Sequence, residues 1–242
     1  MTTLELVLLI VLPVLVALLA AFFLLVRVTK EPIYGLLAKI LPSVGFVLIG
    51  VIGMALRSDY LPYNSIFIIL GLVFGLVGDI VLDLKRAHSE FEDKYLMTGM
   101  ISFFAGHIAY LIAFFTVFYE HQAWESMLLP ALVSLGIAIV IAPITIIVSQ
   151  KYLKANFGKF KILSLLYAGI LMFLTVLTIW FAALDTTFIV IAVGMFMFLA
   201  SDLILSQMYF VEGKSENKLL VILNHSAYYA AQILVALSLF II

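Results

Sequence analysis

Two aspartates and two histidines interrupt long apolar stretches of this sequence, and they are the residue types best suited to chemistry. Asp79 lies in the run GLVFGLVGDIVL, and Asp202 lies in the run GMFMFLASDLIL. His107 and His225 each begin an H-x-x-Y pattern. A charged side chain in the middle of a membrane helix costs about 2.5 to 3.5 kcal/mol, so such residues face inward and usually mark a functional site. We therefore predict that these four residues are catalytic.

Two carboxyl groups that share a site of low dielectric constant cannot both ionise cheaply, so one keeps a proton while the other is an anion. Such a pair supplies a general acid and a general base, and a nearby imidazole can orient water or move a proton. Asp79, Asp202 and His225 are expected on the order of 7 to 11 Å below one membrane surface, and His107 is expected somewhat deeper. At that depth they reach the bond that joins a lipid's glycerol to its chain. The predicted substrate is therefore a lipid.

Six further side chains are candidates for holding that substrate. They are Lys39, Asp83, Tyr110, Asn224, Tyr228 and Gln232. Lys39, with Arg86 or Lys161 nearby, could receive a lipid phosphate as a point charge. For Asp83, one turn from Asp79, an ion pair at the membrane interface is an equal alternative. The aromatic and amide side chains could instead make ordinary contacts between helices.

A purely structural role for the four intramembrane residues is the main alternative to catalysis. In that case Asp79 with His107, and Asp202 with His225, would only clamp neighbouring helices together.

The composition predicts the elements that carry these residues. Of the 242 residues, 66% are hydrophobic and 11% are charged, against roughly 45–50% and about 25% in a soluble domain. A membrane span needs about 20 mostly apolar residues. Such windows fall near residues 4–26, 36–56, 65–84, 96–118, 127–148, 162–183, 187–209 and 219–241. The predicted fold class is therefore all-α, a polytopic membrane protein of eight transmembrane helices in a single membrane domain, residues 1–242.

The connections between these spans differ in charge. Of the 13 basic residues, 12 lie in or beside the connections after spans 1, 3, 5 and 7, and only Arg57 lies opposite. By the positive-inside rule that side is cytoplasmic, so both termini are predicted outside the cytoplasm, in a multi-pass protein of the cell membrane. The first span lacks a basic n-region and a cleavage site, so we expect it to be retained.

Other function classes are excluded by composition. Without cysteine there is no disulfide, thiolate nucleophile or Cys-ligated metal. A net charge of −1 does not indicate the positively charged surface that binds nucleic acid. The expected partners are the lipid bilayer and a lipid substrate, and the sequence indicates no protein partner.

An internal repeat relates the two halves of the chain. Asp79 matches Asp202, KIL at 39–41 matches KIL at 161–163, and H-x-x-Y recurs, all at an offset of 118 to 123 residues. Four spans per copy would give a 4+4 parallel repeat, with repeat A over about residues 1–120 and repeat B over about residues 121–242. Asp79 is then predicted to approach Asp202 across the repeat interface. The alternative is that residues common in membrane helices produce these matches by chance.

The same motifs resemble a known family. GLVFGLVGDIVLDL, then F-x-x-G-H-I-A-Y at 103–110 and G-x-x-x-F-x-x-S-D-L at 194–203, are similar to the YhhN-like lysoplasmalogenases, eight-span membrane proteins. The resemblance covers most of the chain and implies hydrolysis of the vinyl ether bond of a lysoplasmalogen to a fatty aldehyde and a glycerophospho-headgroup. It implies roles for Asp79 and Asp202. Gly106 stands where alanine would be expected, a minor departure.

Vinyl ether hydrolysis suits the predicted acid and base. The reaction begins with protonation of the distal alkene carbon and continues through an oxocarbenium ion that water attacks. A protonated Asp would deliver the proton, and an ionised Asp would stabilise the cation and activate water, each step gaining roughly 10²- to 10⁴-fold. Neither a metal nor another cofactor is required.

Two rival functions remain open from the sequence. Parallel repeats and paired intramembrane acids also occur in proton-coupled transporters, although the acids here lie near one face rather than at the midplane. A zinc-dependent intramembrane lipid hydrolase could draw three ligands from the two histidines and two aspartates. The chain has no HExxH or H-x-x-x-H spacing to support the zinc alternative.

Overall fold

The described part of the chain is helical. The computed structural model describes residues 3–56, 63–87 and 89–242, and within these ranges it contains no strand. Its eight α-helices there are α1 (Thr3–Thr29), α2 (Pro32–Leu56), α3 (Tyr63–Ala87), α4 (Glu92–His121), α5 (Glu125–Tyr152), α6 (Lys161–Leu184), α7 (Ile189–Phe210) and α8 (Lys218–Ser238). Each is long and apolar enough to cross a membrane. The predicted fold class is thus confirmed, and Arg57 lies outside the described residues.

Most helices extend a few residues beyond the predicted windows. The window for the third span stops at residue 84, whereas α3 continues through Lys85 and Arg86 to Ala87. Hydropathy falls at the first charges, but helical hydrogen bonding continues into the polar interface. The seventh span begins two residues later than predicted, at Ile189. There Asp185 accepts a hydrogen bond from the backbone of Thr187 at 2.9 Å, which holds a short 3₁₀ turn before α7.

The chain forms two compact units. Unit 1 comprises Met1–Phe114 and Gln232–Ile242, and unit 2 comprises Phe115–Ala231. Helices α4 and α8 therefore each contribute one part to unit 1 and the other part to unit 2. These two helices hold corresponding places in the predicted repeat, and the repeat itself stays a prediction.

Glycines bring α3 and α4 close together in unit 1. A Cβ atom on Gly71 would lie 2.2 Å from the ring of Tyr110, and one on Gly78 would lie 2.6 Å from the ring of Phe103. These two glycines are seven residues apart and so share one face of α3. Small residues at a helix interface allow the close approach that membrane helices use in place of a hydrophobic driving force. Gly71 and Gly78 thereby fix the position of α4, which carries His107.

Aromatic rings and a hydroxyl group hold unit 2 together. The rings of Phe118 and Phe181 stack at 3.8 Å, and Phe188 packs edge-on against Phe181 at 5.3 Å. Thr175 on α6 donates a hydrogen bond to the carbonyl of Met195 on α7 at 3.3 Å. The contact between α6 and α7 positions α7, which carries the predicted catalytic residue Asp202.

Candidate functional site

A group of buried charged and polar side chains lies between α2 and α3 in unit 1. Nζ of Lys39 lies 3.2 Å from Oδ1 of Asp79 and 3.6 Å from Oδ1 of Asp83. Oγ of Ser43 donates a hydrogen bond to Oδ2 of Asp79 at 2.6 Å. All four side chains are buried. We call Lys39, Ser43, Asp79 and Asp83 the Asp79 cluster.

Helix periodicity explains how the Asp79 cluster forms. Lys39 and Ser43 are four residues apart on α2, and Asp79 and Asp83 are four residues apart on α3, so each pair shares one helix face. Two carboxylates thus meet one ammonium group and one hydroxyl group. Buried charges are tolerated only when they are paired and hydrogen-bonded. The cluster meets that condition at Asp79 through both oxygens.

The structure refines the predicted roles of this region. Lys39 was a candidate for receiving a phosphate, and its Nζ lies against two carboxylates. Asp83 is buried and pairs with the same ammonium group. Sequence reasoning missed Ser43. Its spacing of one turn from Lys39 was the available signal, but serine is too common in membrane helices to stand out.

Asp202 has a different set of neighbours in unit 2. The hydroxyl of Tyr167 on α6 donates a hydrogen bond to Oδ2 of Asp202 at 2.5 Å. Nδ2 of Asn224 on α8 donates to both the carbonyl and Oγ of Ser201, each at 2.9 Å. We call Tyr167, Ser201, Asp202 and Asn224 the Asp202 cluster. Sequence reasoning missed Tyr167, because nothing distinguishes it among the 11 tyrosines of the chain.

The two predicted histidines are held in the same way. Nδ1 of His107 contacts the carbonyl of Phe103 at 2.6 Å, and Nδ1 of His225 contacts the carbonyl of Val221 at 2.8 Å. A carbonyl oxygen only accepts, so Nδ1 carries the hydrogen and donates in both cases. Each bond runs one turn back along its own helix and fixes the ring, with Nε2 on the opposite side. Nε2 is then the atom of each imidazole that can accept a proton.

The remaining candidates lie in aromatic surroundings. In unit 1, Tyr110 donates a hydrogen bond to Oε1 of Gln232 at 2.8 Å, which joins α4 to the last part of α8. In unit 2, Tyr228 packs edge-on against Phe198 at 5.6 Å. Tyr110, Tyr228 and Gln232 are all buried. Their contacts fit positioning of helices, and their part in binding a substrate stays a prediction.

The same side chains include aspartate and histidine, residue types that bind metal ions. Among the residues that the structure describes, no group of three or more His, Cys, Asp or Glu is arranged to hold a metal ion. The zinc alternative therefore depends on a direct test with a chelator.

The family relationship follows from a family-wide comparison. The model of the YhhN family matches residues 34–239, most of the chain, and the chain belongs to that family. Comparisons with curated proteins and with solved structures give no match. The matched segment runs from the first turn of α2 past the end of α8, so it contains both the Asp79 cluster and the Asp202 cluster.

Proposed function

We propose that this member of the YhhN family is a lysoplasmalogenase-like membrane hydrolase. Its substrate would be a lysoplasmalogen, and its products a fatty aldehyde and a glycerophospho-headgroup. The observation that carries the proposal is the buried contact of 3.2 Å between Lys39 and Asp79, which supplies an anionic group inside a membrane helix. Family membership supports the same reaction class.

The two aspartates take different roles in this proposal. Asp79 is the carboxylate, because an ammonium group and a hydroxyl donor contact its two oxygens and both interactions favour the charged form. The reaction also needs a carboxylic acid, and we assign that role to Asp202. The hydroxyl of Tyr167 contacts Oδ2 of Asp202, and when Asp202 is protonated the phenol oxygen can accept that hydrogen bond instead.

The proposed reaction proceeds in three steps. Asp202 donates its proton to the alkene carbon distal to the ether oxygen, which leaves an oxocarbenium ion stabilised by the negative charge of Asp79. Asp79 then takes a proton from water as the water oxygen bonds to the cationic carbon, giving a hemiacetal. In the last step Asp202 accepts the hemiacetal hydroxyl proton while Asp79 returns its proton to the departing glycerol oxygen. Aldehyde and headgroup alcohol leave, and both aspartates regain their starting states.

The histidines would position water and carboxyl groups. His107 and His225 each have Nδ1 engaged with a backbone carbonyl, so each presents Nε2 as a hydrogen-bond acceptor for water or a carboxylic acid. Loss of one should therefore slow the reaction in part. We further propose, from the basic connections, that the enzyme lies in the cell membrane with both termini outside the cytoplasm.

An aldehyde-release assay tests the proposal. Purified protein in detergent micelles is incubated with a 1-alkenyl lysophospholipid, and the fatty aldehyde is measured by mass spectrometry. The matched control substrate is the 1-alkyl lysophospholipid of the same chain length, whose saturated ether cannot be protonated at carbon. Aldehyde from the alkenyl lipid alone is the expected result. No aldehyde from either lipid, with the lipid bound or moved unchanged, would favour the transporter alternative instead.

A further inference from the structure

Five exposed lysines lie at the end of unit 2 where α5 and α7 finish and α6 and α8 begin. We call them the lysine rim, which consists of Lys151, Lys154, Lys161, Lys214 and Lys218. The α5–α6 and α7–α8 connections that carry them touch each other. The backbone N–H of Asn156 donates to the carbonyl of Phe210 at 2.7 Å, and the rings of Phe157 and Phe210 pack at 4.6 Å. Both connections therefore present their lysines at one end of the unit.

The positive charge of the lysine rim is not neutralised within the described part of the chain. None of the five lysines forms an ion pair there, and neither does Glu212, the acid that lies among them. Lys159 and Glu216 have interactions of their own, and their opposite charges cancel. The rim thus has an excess of four positive charges.

Apolar and aromatic side chains place the rim at the boundary between lipid and water. Three of its lysines are each followed directly by such a side chain, at least 64% exposed, in the pairs Lys151–Tyr152, Lys161–Ile162 and Lys218–Leu219. On helices that can span a membrane, exposed apolar side chains face the lipid chains. A lysine at a helix end extends its stem along apolar surface and keeps its ammonium group among the headgroups.

The residue type and one backbone angle also favour a role for the ammonium groups. All three arginines of the chain precede residue 115, so the strongly basic residues of unit 2 are all lysines. A lysine is a flexible point charge, which senses the charge of a headgroup rather than its shape. Lys154 has a φ of 57°, in the left-handed region that favours glycine. A lysine in that conformation adds a charge where glycine would suit the backbone better.

We propose that the lysine rim binds anionic phospholipids of the surrounding membrane leaflet. The headgroup phosphates contact the ammonium groups, and the acyl chains lie against the neighbouring apolar side chains. Lysines close to a membrane surface attract anionic lipids over about one Debye length. The expected ligand is a phospholipid of net charge −1, such as phosphatidylglycerol, in preference to the zwitterionic phosphatidylcholine. This interaction does not depend on the proposed hydrolase activity.

Unit 1 provides a matched comparison for the rim. Its exposed lysines Lys30 and Lys94 each have an acid beside them in the sequence, because Glu31 follows the first and Asp93 precedes the second. An adjacent carboxylate reduces the local positive potential. We therefore expect little preference for anionic lipid around these two lysines.

Quenching of tryptophan fluorescence by brominated lipids measures which lipids lie beside a chosen residue. Trp124→Phe and Trp180→Phe remove the native tryptophans, after which Tyr152→Trp reports on the rim and Tyr34→Trp on the first turn of α2. Both tyrosines are exposed. The full chain is reconstituted in phosphatidylcholine vesicles that contain brominated phosphatidylglycerol or brominated phosphatidylcholine. In about 0.1 M salt, the anionic lipid should associate about fivefold more strongly beside residue 152, the effect of one lysine, and equally beside residue 34.

Two variants of equal net charge separate the rim from overall charge. Lys154→Gly combined with Lys161→Gln removes two rim lysines, and a φ of 57° suits glycine. Lys30→Gln combined with Lys94→Gln removes two lysines from unit 1. The first variant should lower the preference beside residue 152 to less than twofold, and the second should leave it unchanged. Salt at about 1 M, which shortens the Debye length to about 3 Å, should also bring the preference close to one.

Equal quenching by the two brominated lipids beside residue 152 in about 0.1 M salt would overturn the proposal. An equal preference beside residues 152 and 34 would do so as well, as would equal losses in the rim variant and the unit 1 variant. The comparison at high salt uses the chain with all its lysines. A preference that persists there contradicts an electrostatic interaction even if a lysine variant does not fold.

Discussion

The surroundings of Asp79 and Asp202 differ, although the two residues match in the predicted repeat. Asp79 precedes the end of α3 by eight residues and Asp202 precedes the end of α7 by eight, about 12 Å along each helix. Asp79 contacts an ammonium group and a serine, whereas Asp202 contacts the phenol of Tyr167. The equivalent lysines differ as well, because Lys39 is buried and Lys161 is exposed.

Equal positions in the chain therefore do not give the two aspartates equal chemistry. Two identical acids in identical surroundings would compete for one proton, and their roles could exchange. A cation beside one of them removes that symmetry, because it favours the anion there. The proposed mechanism accordingly assigns the carboxylate to Asp79, which Lys39 contacts, and the acid to Asp202.

Replacement of either aspartate by asparagine should reduce aldehyde release by about 100-fold or more, because asparagine neither donates an acidic proton nor carries charge. The two variants should differ in stability. Asp79→Asn removes one partner of a buried ion pair and should cost about 3 kcal/mol in the free energy of unfolding, whereas Asp202→Asn keeps an acceptor for the Tyr167 hydroxyl and should cost about 1 kcal/mol. Retention of a tenth of the rate in either variant would contradict an essential role.

The two matched lysines should differ sharply on replacement by methionine. Lys39→Met leaves Asp79 and Asp83 buried without their shared cation, so we expect a loss of about 3 to 5 kcal/mol in the free energy of unfolding. Lys161→Met changes an exposed side chain and should stay within about 0.5 kcal/mol. Thermal unfolding in detergent measures both. Adding Asp83→Asn to Lys39→Met should recover part of the loss, and an additive double variant would contradict the shared pairing.

A methyl group at Gly71 should disturb the packing that holds α4. The Cβ atom of Gly71→Ala would lie 2.2 Å from the ring of Tyr110, so the ring must move and its hydrogen bond to Gln232 be strained. Overpacking of this kind costs about 1 to 3 kcal/mol. Gly136→Ala, where no atom lies within 4 Å, is the matched control and should be neutral. Equal melting temperatures for the two variants would show that the α3–α4 approach is looser than described.

Glutamine in place of His107 or His225 should lower the rate only in part, on the order of tenfold, if each imidazole positions water or a carboxyl group. Loss of a metal ligand would instead abolish activity. Chelator treatment is an independent test. The acid–base mechanism predicts that chelator does not lower the rate of aldehyde release and that added zinc does not raise it. Inactivation by chelator with recovery by zinc alone would require the histidines and aspartates to be reinterpreted as ligands.

Asp185 lies in the connection between α6 and α7, and its ionisation can be compared with that of the buried Asp79 and Asp202. Desolvation raises the pKa of Asp185, but hydrogen bonds from Thr187 and His121 outweigh it, so the pKa lies below the ordinary value of 3.8. The carboxylate therefore adds stability above that ordinary value, and the contribution is lost as pH falls through the lower folded-state pKa. Asp185→Asn should lower Tm slightly at pH 7 and leave it unchanged near about pH 2. A gap that persists there would contradict this sign.

The fold was more predictable than the site, for a physical reason. Apolar length alone determines which segments span a membrane, so all eight helices were expected from hydropathy. Periodicity also placed Asp83 on the face of Asp79. The partners on other helices could not be predicted from the sequence. The pairing of Lys39 with Asp79, and of Tyr167 with Asp202, depends on how neighbouring helices are rotated about their axes.

The central claim is that Asp79 is ionised while Asp202 is protonated in the resting protein, and infrared spectroscopy tests it most directly. A protonated carboxyl group gives a C=O stretching band that a carboxylate lacks, and isotope exchange in heavy water identifies it. At neutral pH we predict such a band in the unmodified chain and in Asp79→Asn, and its loss in Asp202→Asn. A band that survives in Asp202→Asn and disappears in Asp79→Asn would reverse the roles and contradict the account.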